Sequence, residues 1–377
     1  MHIVLLKSRA RNRGGLEKAA GRIASAFVER GNRVSILTTG TSNAPEQDGL
    51  ISVYPLKTAS WPAFLRMEQF DGFVQEWLKN HPAELIFGMD RNRKQTHIRA
   101  GNGVHDAYLK SRIHTEGKLK YYSCLLNPMH RKILQIEKEA FEDQGLKKLF
   151  TNSNMVKKEI LNTYSTPSSK IQVIHNGVEW HEMAADFNTW LENKVRSCNA
   201  LGLDSNMFHF LFIGNGYLRK GLDQLLMGLS RLARRDFHFS VIGNDRQMEL
   251  YQAKAVKLGL EKQVRFFGPR TDIRSFYQIA DVLVIPSFYD PFANVTVEAL
   301  AMGLFVLSSK HNGGAEILTS ENGLVIPDLL NPDALTHSLE QSMRRNKTKE
   351  SAQLIRQSVQ HLDYSKQMNS LIEACSG

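Results

Sequence analysis

The chain has 377 residues, 42% of them hydrophobic, a length that exceeds one ordinary domain and a composition that can fill the cores of two. No apolar run approaches the roughly 20 residues that a membrane-spanning helix needs, and the apolar start of the chain ends at Lys7, too early for a signal peptide. The net charge of +10 is concentrated in residues 1–185, which hold 27 of the 48 basic and 18 of the 38 acidic residues. We therefore expect the first half to face an anionic surface, unless its charges merely keep it solvated.

Candidate strands and helices alternate along the first half of the chain. Apolar residues at 2–6 predict a strand, a polar loop follows, and residues 16–30 are predicted to form a helix. Further strands are predicted at residues 33–38, 84–88, 96–99, 148–152 and 171–174, and the last of them ends in the turn sequence His175-Asn176-Gly177. Such alternation is typical of a parallel sheet covered by helices, so residues 1–180 are predicted to form one α/β domain.

The second half repeats this pattern after a segment that lacks strand character. Residues 181–206 have mixed polarity and are interpreted as the connection between two domains. A helix is then predicted at residues 221–234, and strands are predicted at residues 208–213, 237–242, 264–267, 282–285 and 304–307. A second domain is expected over residues 207–362, and residues 363–377 are expected to form a C-terminal helix that could pack back on the first domain. The predicted fold class is α/β, with two Rossmann-like domains facing each other across a cleft.

The loops after strands are where ligands are expected, because open parallel sheets bind them at the carboxyl ends of their strands. The loop after the first strand contains Gly14-Gly15 and three arginines, among them Arg13, in front of a helix. Adjacent glycines let a ligand approach the main chain, and a helix start beside arginines favours an anion. This loop is a candidate phosphate site, although a Gly-Gly turn after a strand is also common.

The corresponding loop of the second domain, residues 214–221, places two cations beside a helix start. It is neither a P-loop nor a dinucleotide fingerprint, because the glycine spacing of both motifs is missing. Arg219 and Lys220 could neutralise a diphosphate, and its charge as a leaving group, without a metal ion. The alternative interpretation is an exposed basic helix cap.

Residues 286–299 combine the end of a strand, a loop and the start of a helix near Asn294. Main-chain amides at a helix start suit phosphate or sugar oxygens. Glu298 lies about one turn inside this helix among apolar neighbours, and its carboxylate could accept hydrogen bonds from vicinal hydroxyls such as a ribose diol. Asp290, on the preceding loop, could do the same for a sugar ring.

A glycine-rich loop leads into His105, which is either a functional residue at the expected cleft or a satisfied structural histidine. No Asp-x-Asp motif, no Cys/His cluster and no Gly-x-Ser-x-Gly elbow occur. A divalent metal site of the single-domain sugar-nucleotide type, a zinc site and a hydrolase are therefore unsupported. The three cysteines lie far apart, which indicates neither a disulfide framework nor metal binding and fits a reducing cytoplasm.

Short motifs in a fixed order resemble the retaining GT-B glycosyltransferases of family 4, through most of both domains. In chain order the motifs are Gly14-Gly15, His175-Asn176-Gly177-Val178, Arg219-Lys220-Gly221, Phe267-Gly268, Ala280-Asp281, Pro286-Ser287, Phe292, Glu298-Ala299, Gly303, Gly313-Gly314 and Glu316. Residues 99–105, followed by a stretch rich in Tyr, Lys and Arg, are most similar to the enzymes that add the first glucose to the heptose of the lipopolysaccharide core.

The resemblance implies roles for individual residues. It implies a donor site made of Gly15, Arg219, Lys220, Arg270, Asp290, Phe292, Ala293, Asn294, Val295 and Glu298, and an acceptor site made of Arg13, Asn102 and His105. Arg219 and Lys220 would bind the diphosphate and act in catalysis together with Asp290, which would hold donor-sugar hydroxyls. Glu298 would hold the ribose. His105 falls where many relatives have a histidine at the donor sugar, and it is therefore also a candidate catalytic residue.

Three positions depart from the family pattern. Asp290 replaces a glutamate and is one methylene shorter, which changes where a donor sugar would sit. Ala293 replaces a glycine and tightens the approach of a phosphate. Phe305 replaces a proline, which we interpret as a change in packing. None of these differences removes a charge that the site needs.

By this resemblance the chain is expected to transfer a hexose, with glucose from UDP-glucose as the expected donor, to a lipopolysaccharide-core or similar lipid-linked glycan, with retention of configuration and without metal or cofactor. We expect a cytoplasmic protein, peripherally attached to the inner face of the membrane through residues 108–132, whose basic and aromatic side chains suit an anionic lipid surface. Alternatively, Tyr121, Tyr122 and the leucines of this segment pack inside the first domain, and its charges are merely solvated.

Other functions remain open at this stage. Another family 4 hexosyl- or N-acetylhexosaminyltransferase and a sugar-nucleotide epimerase would use the same fold. A sugar-binding protein without activity is disfavoured by the presence of Arg219, Lys220 and Glu298. Nucleic-acid binding, which the basic first half suggests, is disfavoured because the sequence shows no basic and aromatic binding module.

Overall fold

The computed structural model describes residues 1–8, 15–39, 49–58 and 63–376, which divide into two compact units. Unit 1 comprises Met1–His175 together with Gln367–Gly377, and unit 2 comprises Asn176–Lys366. Unit 2 therefore begins at the turn His175-Asn176-Gly177, a few residues before the predicted end of the first domain.

Unit 1 is built on a seven-stranded sheet in which every strand pair is parallel. Its strands are β1 (His2–Lys7), β2 (Arg33–Thr38), β3 (Ile51–Pro55), β4 (Leu85–Gly88), β5 (His97–Arg99), β6 (Lys148–Thr151) and β7 (Ile171–Val173), in the spatial order β3-β2-β1-β4-β5-β6-β7. Six of the seven strands were predicted. β3 was not, because it lies at the edge of the sheet, ends in Pro55 and has only one fully buried residue, Ile51.

Helices cover this sheet, and the chain returns to it at its end. The helices of unit 1 are α1 (Gly15–Val28), α2 (Ala63–Asn80), α3 (His105–Ser111), α4 (Ile113–Glu116), α5 (Lys118–Leu126), α6 (Pro128–Phe141) and α7 (Asn154–Thr163). Asn127 caps α6 by accepting from the Met129 amide, and Ser153 caps α7 by accepting from the Val156 amide.

Unit 2 has a six-stranded sheet, again with parallel pairing throughout. Its helices and strands, in chain order, are α8 (Ala184–Asn188), α9 (Trp190–Leu201), β8 (Phe208–Ile213), α10 (Leu222–Ser230), β9 (Phe237–Ile242), α11 (Met248–Lys257), β10 (Val264–Gly268), α12 (Ile273–Ile279), β11 (Val282–Ile285), α13 (Asn294–Ala301), β12 (Phe305–Ser309), β13 (Gly323–Ile326), α14 (Pro332–Ser342), α15 (Lys349–Ser358) and α16 (Tyr364–Ser376). The spatial order is β10-β9-β8-β11-β12-β13. The α/β fold class and the two Rossmann-like sheets are thus confirmed.

Residues 181–206 differ from the prediction of a connection between domains. They form α8 and α9, whose buried side chains Phe187, Trp190 and Cys198 belong to the hydrophobic core of unit 2. The mixed polarity of this segment reflects helices with one buried and one exposed face. The C-terminal helix α16 begins in unit 2 and belongs to unit 1 from Gln367 onward, where Arg30 contacts Asn369 and Glu373.

Parallel pairing brings the carboxyl ends of all strands of a sheet to one edge. In unit 2 the central strands β8 and β11 are neighbours, so the loops after Ile213 and Ile285 lie side by side. In unit 1 the loops after β4 and β5 are neighbours in the same way. Within the described ranges, no helix combines the length and the apolar character that crossing a membrane requires.

Candidate active site

Glycine lets the loop after β8 lie directly against the end of β11. Gly221 has a φ of +74°, and a Cβ atom there would lie 1.9 Å from the carbonyl oxygen of Pro286. The stem of Lys220 packs over Gly214, where a Cβ atom would lie 3.1 Å from Lys220 Cε. These close approaches fix the stem of Lys220 beside the loop that follows β11.

Two predicted cations and a predicted carboxylate meet at this point. Lys220 Nζ donates to Asp290 Oδ2 over 2.5 Å, and Arg219 Nη1 lies 3.6 Å from the same oxygen. Arg219 Nη1 also donates to the main-chain oxygen of Tyr289 over 2.7 Å. Lys220 and Asp290 are both buried. Two positive groups and one negative group in a partly dehydrated place favour an anionic ligand.

The main chain of Asp290 is held from both sides. Its amide donates to the carbonyl oxygen of His311 over 2.9 Å, and its carbonyl oxygen accepts from the amide of Gly313 over 2.8 Å. The loop after β11 is thereby joined to the loop after β12. The position of the Asp290 main chain is consequently set by both loops together.

Asn312 connects these loops through its side chain and was missed by the sequence analysis. Its Oδ1 accepts from the amides of Ala293 and Gly314, at 3.0 and 3.1 Å. Its Nδ2 donates to Thr296 Oγ1 and Ser308 Oγ, at 3.2 and 3.0 Å. All the hydrogen-bonding capacity of this buried amide is used. The one available signal was an asparagine immediately before Gly313-Gly314.

The predicted helix start after Asp290 is confirmed, since α13 begins at Asn294. Asn176 Nδ2 donates to Asn294 Oδ1 over 2.7 Å and to the carbonyl oxygen of Phe292 over 3.3 Å. Ala293 is buried and Val295 packs against the core of unit 2. The four predicted donor-site residues of this segment, Phe292 to Val295, therefore form one ordered turn next to Asp290.

Glu298 accepts a hydrogen bond from a buried tyrosine. The hydroxyl of Tyr277, on α12, lies 2.8 Å from Glu298 Oε2. Burial raises the pKa of Tyr277 well above its usual value, and the charge of Glu298 raises it further. The tyrosine is thus a permanent donor that orients the carboxylate. Sequence analysis missed Tyr277 because its apolar neighbours on α12 indicate only a core residue.

Arg270 lies apart from the cluster around Asp290. It follows β10, the edge strand, which is two strands away from β8. Its guanidinium pairs with Asp272 at 2.7 and 2.8 Å and lies 5.7 Å from the centre of the Phe276 ring. Because its side chain makes these contacts, the predicted contact of Arg270 with a nucleotide base would be made by its main chain.

In unit 1, His105 is a buried residue at the start of α3. Its Nε2 lies 3.0 Å from Nδ1 of His130, so that one ring donates and the other accepts. Its main-chain amide donates to Glu137 Oε1 over 2.8 Å. Burial lowers the pKa of His105 to about 3, and Arg91, His130 and Arg112 lower it further. The imidazole is therefore neutral near pH 7.

A small pocket lies beside this histidine, at the carboxyl ends of β4 and β5. It is lined by Met89, Asp90, Arg91, Gln95, Ile98, Arg99, Ala100, Asn102, Gly103, Glu137, Ala140 and Phe141. Burial raises the pKa of Glu137, whose carboxylate lies 3.4 Å from Arg91 Nε and accepts from the hydroxyl of Tyr164. Of the three predicted acceptor-site residues, Asn102 lines this pocket and His105 lies beside it.

The remaining predicted site residues belong to the loop after β1 and the start of α1. Gly15 is the first residue of α1. Arg13 and Gly14 lie outside the described residues. In the ranges that the structure does describe, no three His, Cys, Asp or Glu residues are grouped so that they could hold a metal ion.

Comparison with protein families covers both units. Residues 13–181 match the family described as Glycosyltransferase Family 4, and residues 193–361 match the family described as Glycosyl transferases group 1. The chain is 28% identical over 347 residues to an uncharacterised glycosyltransferase of Methanocaldococcus jannaschii, across 87% of this chain and 84% of that protein. It is 25% identical over 338 residues to the lipopolysaccharide glucosyltransferase WaaG of Escherichia coli, across 88% of this chain and 87% of WaaG.

Solved structures agree with the fold. A crystal structure of WaaG, a glycosyltransferase involved in lipopolysaccharide biosynthesis, matches with a TM-score of 0.80 and 21% identity over the whole of both chains. The structure of HepE from Anabaena in complex with UDP-glucose matches with a TM-score of 0.70 and 17% identity, over 100% of this chain and 99% of HepE. With a family 4 domain followed by a group 1 domain, this chain belongs to the GT-B glycosyltransferases.

Proposed function

We propose that this glycosyltransferase transfers a hexose from a nucleotide-sugar, with UDP-glucose as the first candidate, to a lipopolysaccharide-core or similar lipid-linked glycan. The observation that carries the proposal is the meeting of Arg219 and Lys220 with Asp290 at the carboxyl ends of β8 and β11. The name of the relative WaaG supports glucose and a lipopolysaccharide acceptor, and the ligand of HepE supports UDP-glucose as the donor.

The two cations suit the diphosphate of such a donor. When the bond from the sugar to the diphosphate breaks, negative charge grows on the leaving oxygen. Lys220 Nζ and the Arg219 guanidinium can stabilise that charge from fixed positions, which is the task that a metal ion performs in other transferases. We therefore infer that no metal ion or cofactor takes part. The amides of Asn294 and Val295, at the start of α13, can contribute further donors.

Two carboxylates suit the hydroxyls of the donor. Asp290 lies next to the proposed diphosphate position and would accept from hydroxyls of the transferred sugar. Glu298, oriented by Tyr277, would accept from the ribose hydroxyls. We assign Phe292 to the same donor site, Gly15 to the donor phosphate or sugar, and the main chain of Arg270 to the base.

The acceptor is assigned to unit 1, at the pocket that Asn102 lines and at His105 and Arg13. We propose transfer with retention of configuration by attack on the face of the leaving group. The acceptor hydroxyl forms the new bond to the anomeric carbon while the bond to the diphosphate breaks, and a diphosphate oxygen takes the hydroxyl proton. The low pKa of His105 makes the imidazole a weak base, so it can take part as a hydrogen-bonding group without competing for that proton.

A lipid-linked acceptor requires the protein to reach a membrane surface, and α5 supports such contact. Leu119, Tyr122 and Leu126 on this helix are 87%, 60% and 77% exposed. Lys118 and Lys120 are exposed beside them. Apolar side chains next to basic ones suit the headgroup region of an anionic leaflet. We therefore propose peripheral attachment to the inner face of the cytoplasmic membrane through residues 108–132.

The test is product analysis by NMR in the presence of EDTA. The protein is incubated with UDP-glucose and lipopolysaccharide core acceptors that end in heptose, and in parallel with other UDP-, GDP- and ADP-sugars. We expect an α-linked product from UDP-glucose that forms only when acceptor is present. A new nucleotide-sugar formed without acceptor would identify an epimerase instead, and activity that requires added manganese would contradict metal independence.

A further inference from the structure

Asp290 is ion-paired with Lys220, the lysine that we assign to the diphosphate of the donor. Its Oδ2 receives the hydrogen bond from Lys220 Nζ and lies 3.6 Å from Arg219 Nη1, so one carboxylate oxygen serves both cations. In the part of the chain that the structure describes, no hydrogen bond is made to Oδ1. The carboxylate is thus bound through one oxygen and presents the other.

Neither partner of this ion pair can easily move away as a whole. The stem of Lys220 packs on Gly214, with Cγ, Cδ and Cε all within 3.3 Å of where a Cβ atom would stand. The main chain of Asp290 is held by His311 and Gly313. A ligand that needs the lysine has to reach Nζ where it is, beside a carboxylate that already shares the positive charge and repels another anion.

From this arrangement we infer that Asp290 is an internal competitor of the diphosphate, which makes the site favour an intact nucleotide-sugar over the nucleoside diphosphate released from it. The inference rests on the proposed function. Both ligands have to compete with the carboxylate for the charge of Lys220, which weakens their binding. Only the intact donor brings sugar hydroxyls that can donate to the carboxylate and so compensate it.

The same contact favours product release. After transfer the sugar has left, and Asp290 has lost its hydroxyl partners while Lys220 is still beside it. The carboxylate then regains the full charge of Lys220 as the diphosphate leaves. Asp290 is a specificity-determining residue in this scheme, since it sets the ratio of the two dissociation constants and not only the affinity for the donor.

The experiment measures binding of pyrophosphate, UDP and UDP-glucose by calorimetry, without acceptor, to the wild type and to Asp290→Asn. Asparagine has the same shape without the charge. We expect pyrophosphate and UDP to bind on the order of tenfold more tightly to the variant, because they no longer compete with a negative charge for Lys220. UDP-glucose should gain less or bind more weakly, so that the ratio of Kd for UDP to Kd for UDP-glucose falls.

Asp223→Asn is the matched control, because it removes a negative charge of unit 2 that pairs with Lys254. It should leave pyrophosphate affinity unchanged. Asp290→Ala is measured in parallel. If both variants fold as the wild type does, their affinities for pyrophosphate should be similar. Equal or weaker pyrophosphate binding by both variants would overturn the inference. Pyrophosphate carries no base or sugar, so its binding does not depend on the proposed donor. If Asp290→Asn binds pyrophosphate more tightly but neither protein binds UDP-glucose, the competition between Asp290 and the diphosphate is upheld and only the proposed donor is contradicted.

Discussion

The hydroxyl of Tyr277 donates to Glu298 Oε2 across 2.8 Å, from α12 to α13. Tyr277 is buried, and its raised pKa keeps the hydroxyl protonated near neutral pH. The bond therefore holds one carboxylate oxygen in place at such pH values. A carboxylate that is oriented in advance loses less freedom when it binds a diol, which is what ribose recognition requires.

We expect Glu298→Gln to weaken the binding of free UDP by on the order of tenfold, because a hydrogen bond to a charged acceptor becomes one to a neutral amide. Tyr277→Phe should weaken UDP binding by less, about threefold, since the carboxylate remains but is no longer oriented. Calorimetry with UDP measures both. Tyr251→Phe, which also removes a hydroxyl from the core of unit 2, is the control and should bind as the wild type does. Unchanged affinity in Glu298→Gln would restrict Glu298 to a structural role.

Lys220→Ala tests the stabilisation of the leaving group. We expect kcat to fall by about 10²–10³-fold, with a smaller change in donor affinity, because the charge that Lys220 meets grows in the transition state. Donor affinity changes little for a second reason, since the wild-type lysine is already paired with Asp290. Steady-state kinetics and donor binding separate the two effects. Lys254→Ala, which breaks the more exposed pair with Asp223, serves as the control. A wild-type kcat in Lys220→Ala would remove the residue from the mechanism.

The burial of Lys347 should make the stability of the protein depend on pH. Its ammonium donates to the carbonyl oxygen of Tyr277 over 2.9 Å and lies 4.5 Å from the centre of the Trp190 ring. Burial lowers the pKa of Lys347 to about 7, against the opposing effect of Asp281. Between pH 7 and the ordinary value of 10.5, the unfolded chain binds a proton that the folded protein has released. Stability therefore rises with pH across this window and falls as pH is lowered through it.

The measurement compares the wild type with Lys347→Met by urea denaturation at pH 7, 8 and 9. From pH 7 to pH 9 the free energy of unfolding of the wild type should rise by about 2 kcal/mol relative to that of the variant. The variant lacks this titrating group, so the comparison cancels the other residues that titrate in the same range. A difference between the two proteins that stays constant with pH would show that Lys347 keeps its proton.

The sequence predicted the sheets well, because each central strand is buried on both faces and appears as a short apolar run. β8 and β11 illustrate this, with burial from end to end or nearly so. The edge strands β3 and β13 and the helix α9 were not recognised. One face of β3 and of α9 meets solvent, so their residues are mixed in polarity, and tertiary packing around Ile51 and Trp190 decides their structure.

The candidate site was predictable where a local pattern carries the chemistry. Arg219, Lys220 and Asp290 stand in loops that follow strands, and strand order brings such loops together. Asn312 and Tyr277 act on other residues through hydrogen bonds between neighbouring loops or helices. No spacing along the chain reports such a bond. The pairing of His105 with His130 is of the same kind, since 25 positions separate the two rings.

The exposed face of α5 gives the membrane proposal a sharp test. Of the residues that the alternative packs inside unit 1, Tyr122 and Leu126 are exposed, whereas Tyr121 and Leu125 are partly buried. Leu119, on the same helix, is also exposed. We expect the protein to sediment with vesicles that contain anionic phospholipid and to be released by salt. At 0.1 M salt, electrostatic attraction between exposed charges is largely screened beyond about 10 Å. Each basic residue near such a surface contributes about 1 kcal/mol.

Two variants separate the contributions of charge and apolar contact. Lys118→Glu with Lys120→Glu should abolish sedimentation at moderate salt, because it reverses the charge beside the apolar residues. Leu119→Ser with Leu126→Ser should weaken sedimentation, and the binding that remains should still be released by salt. The control is Lys257→Glu with Lys262→Glu, the same charge change at exposed positions of unit 2, which should sediment as the wild type does. Equal binding to neutral vesicles, or equal loss in the control, would refute docking through α5 and leave the transferase assignment unaffected.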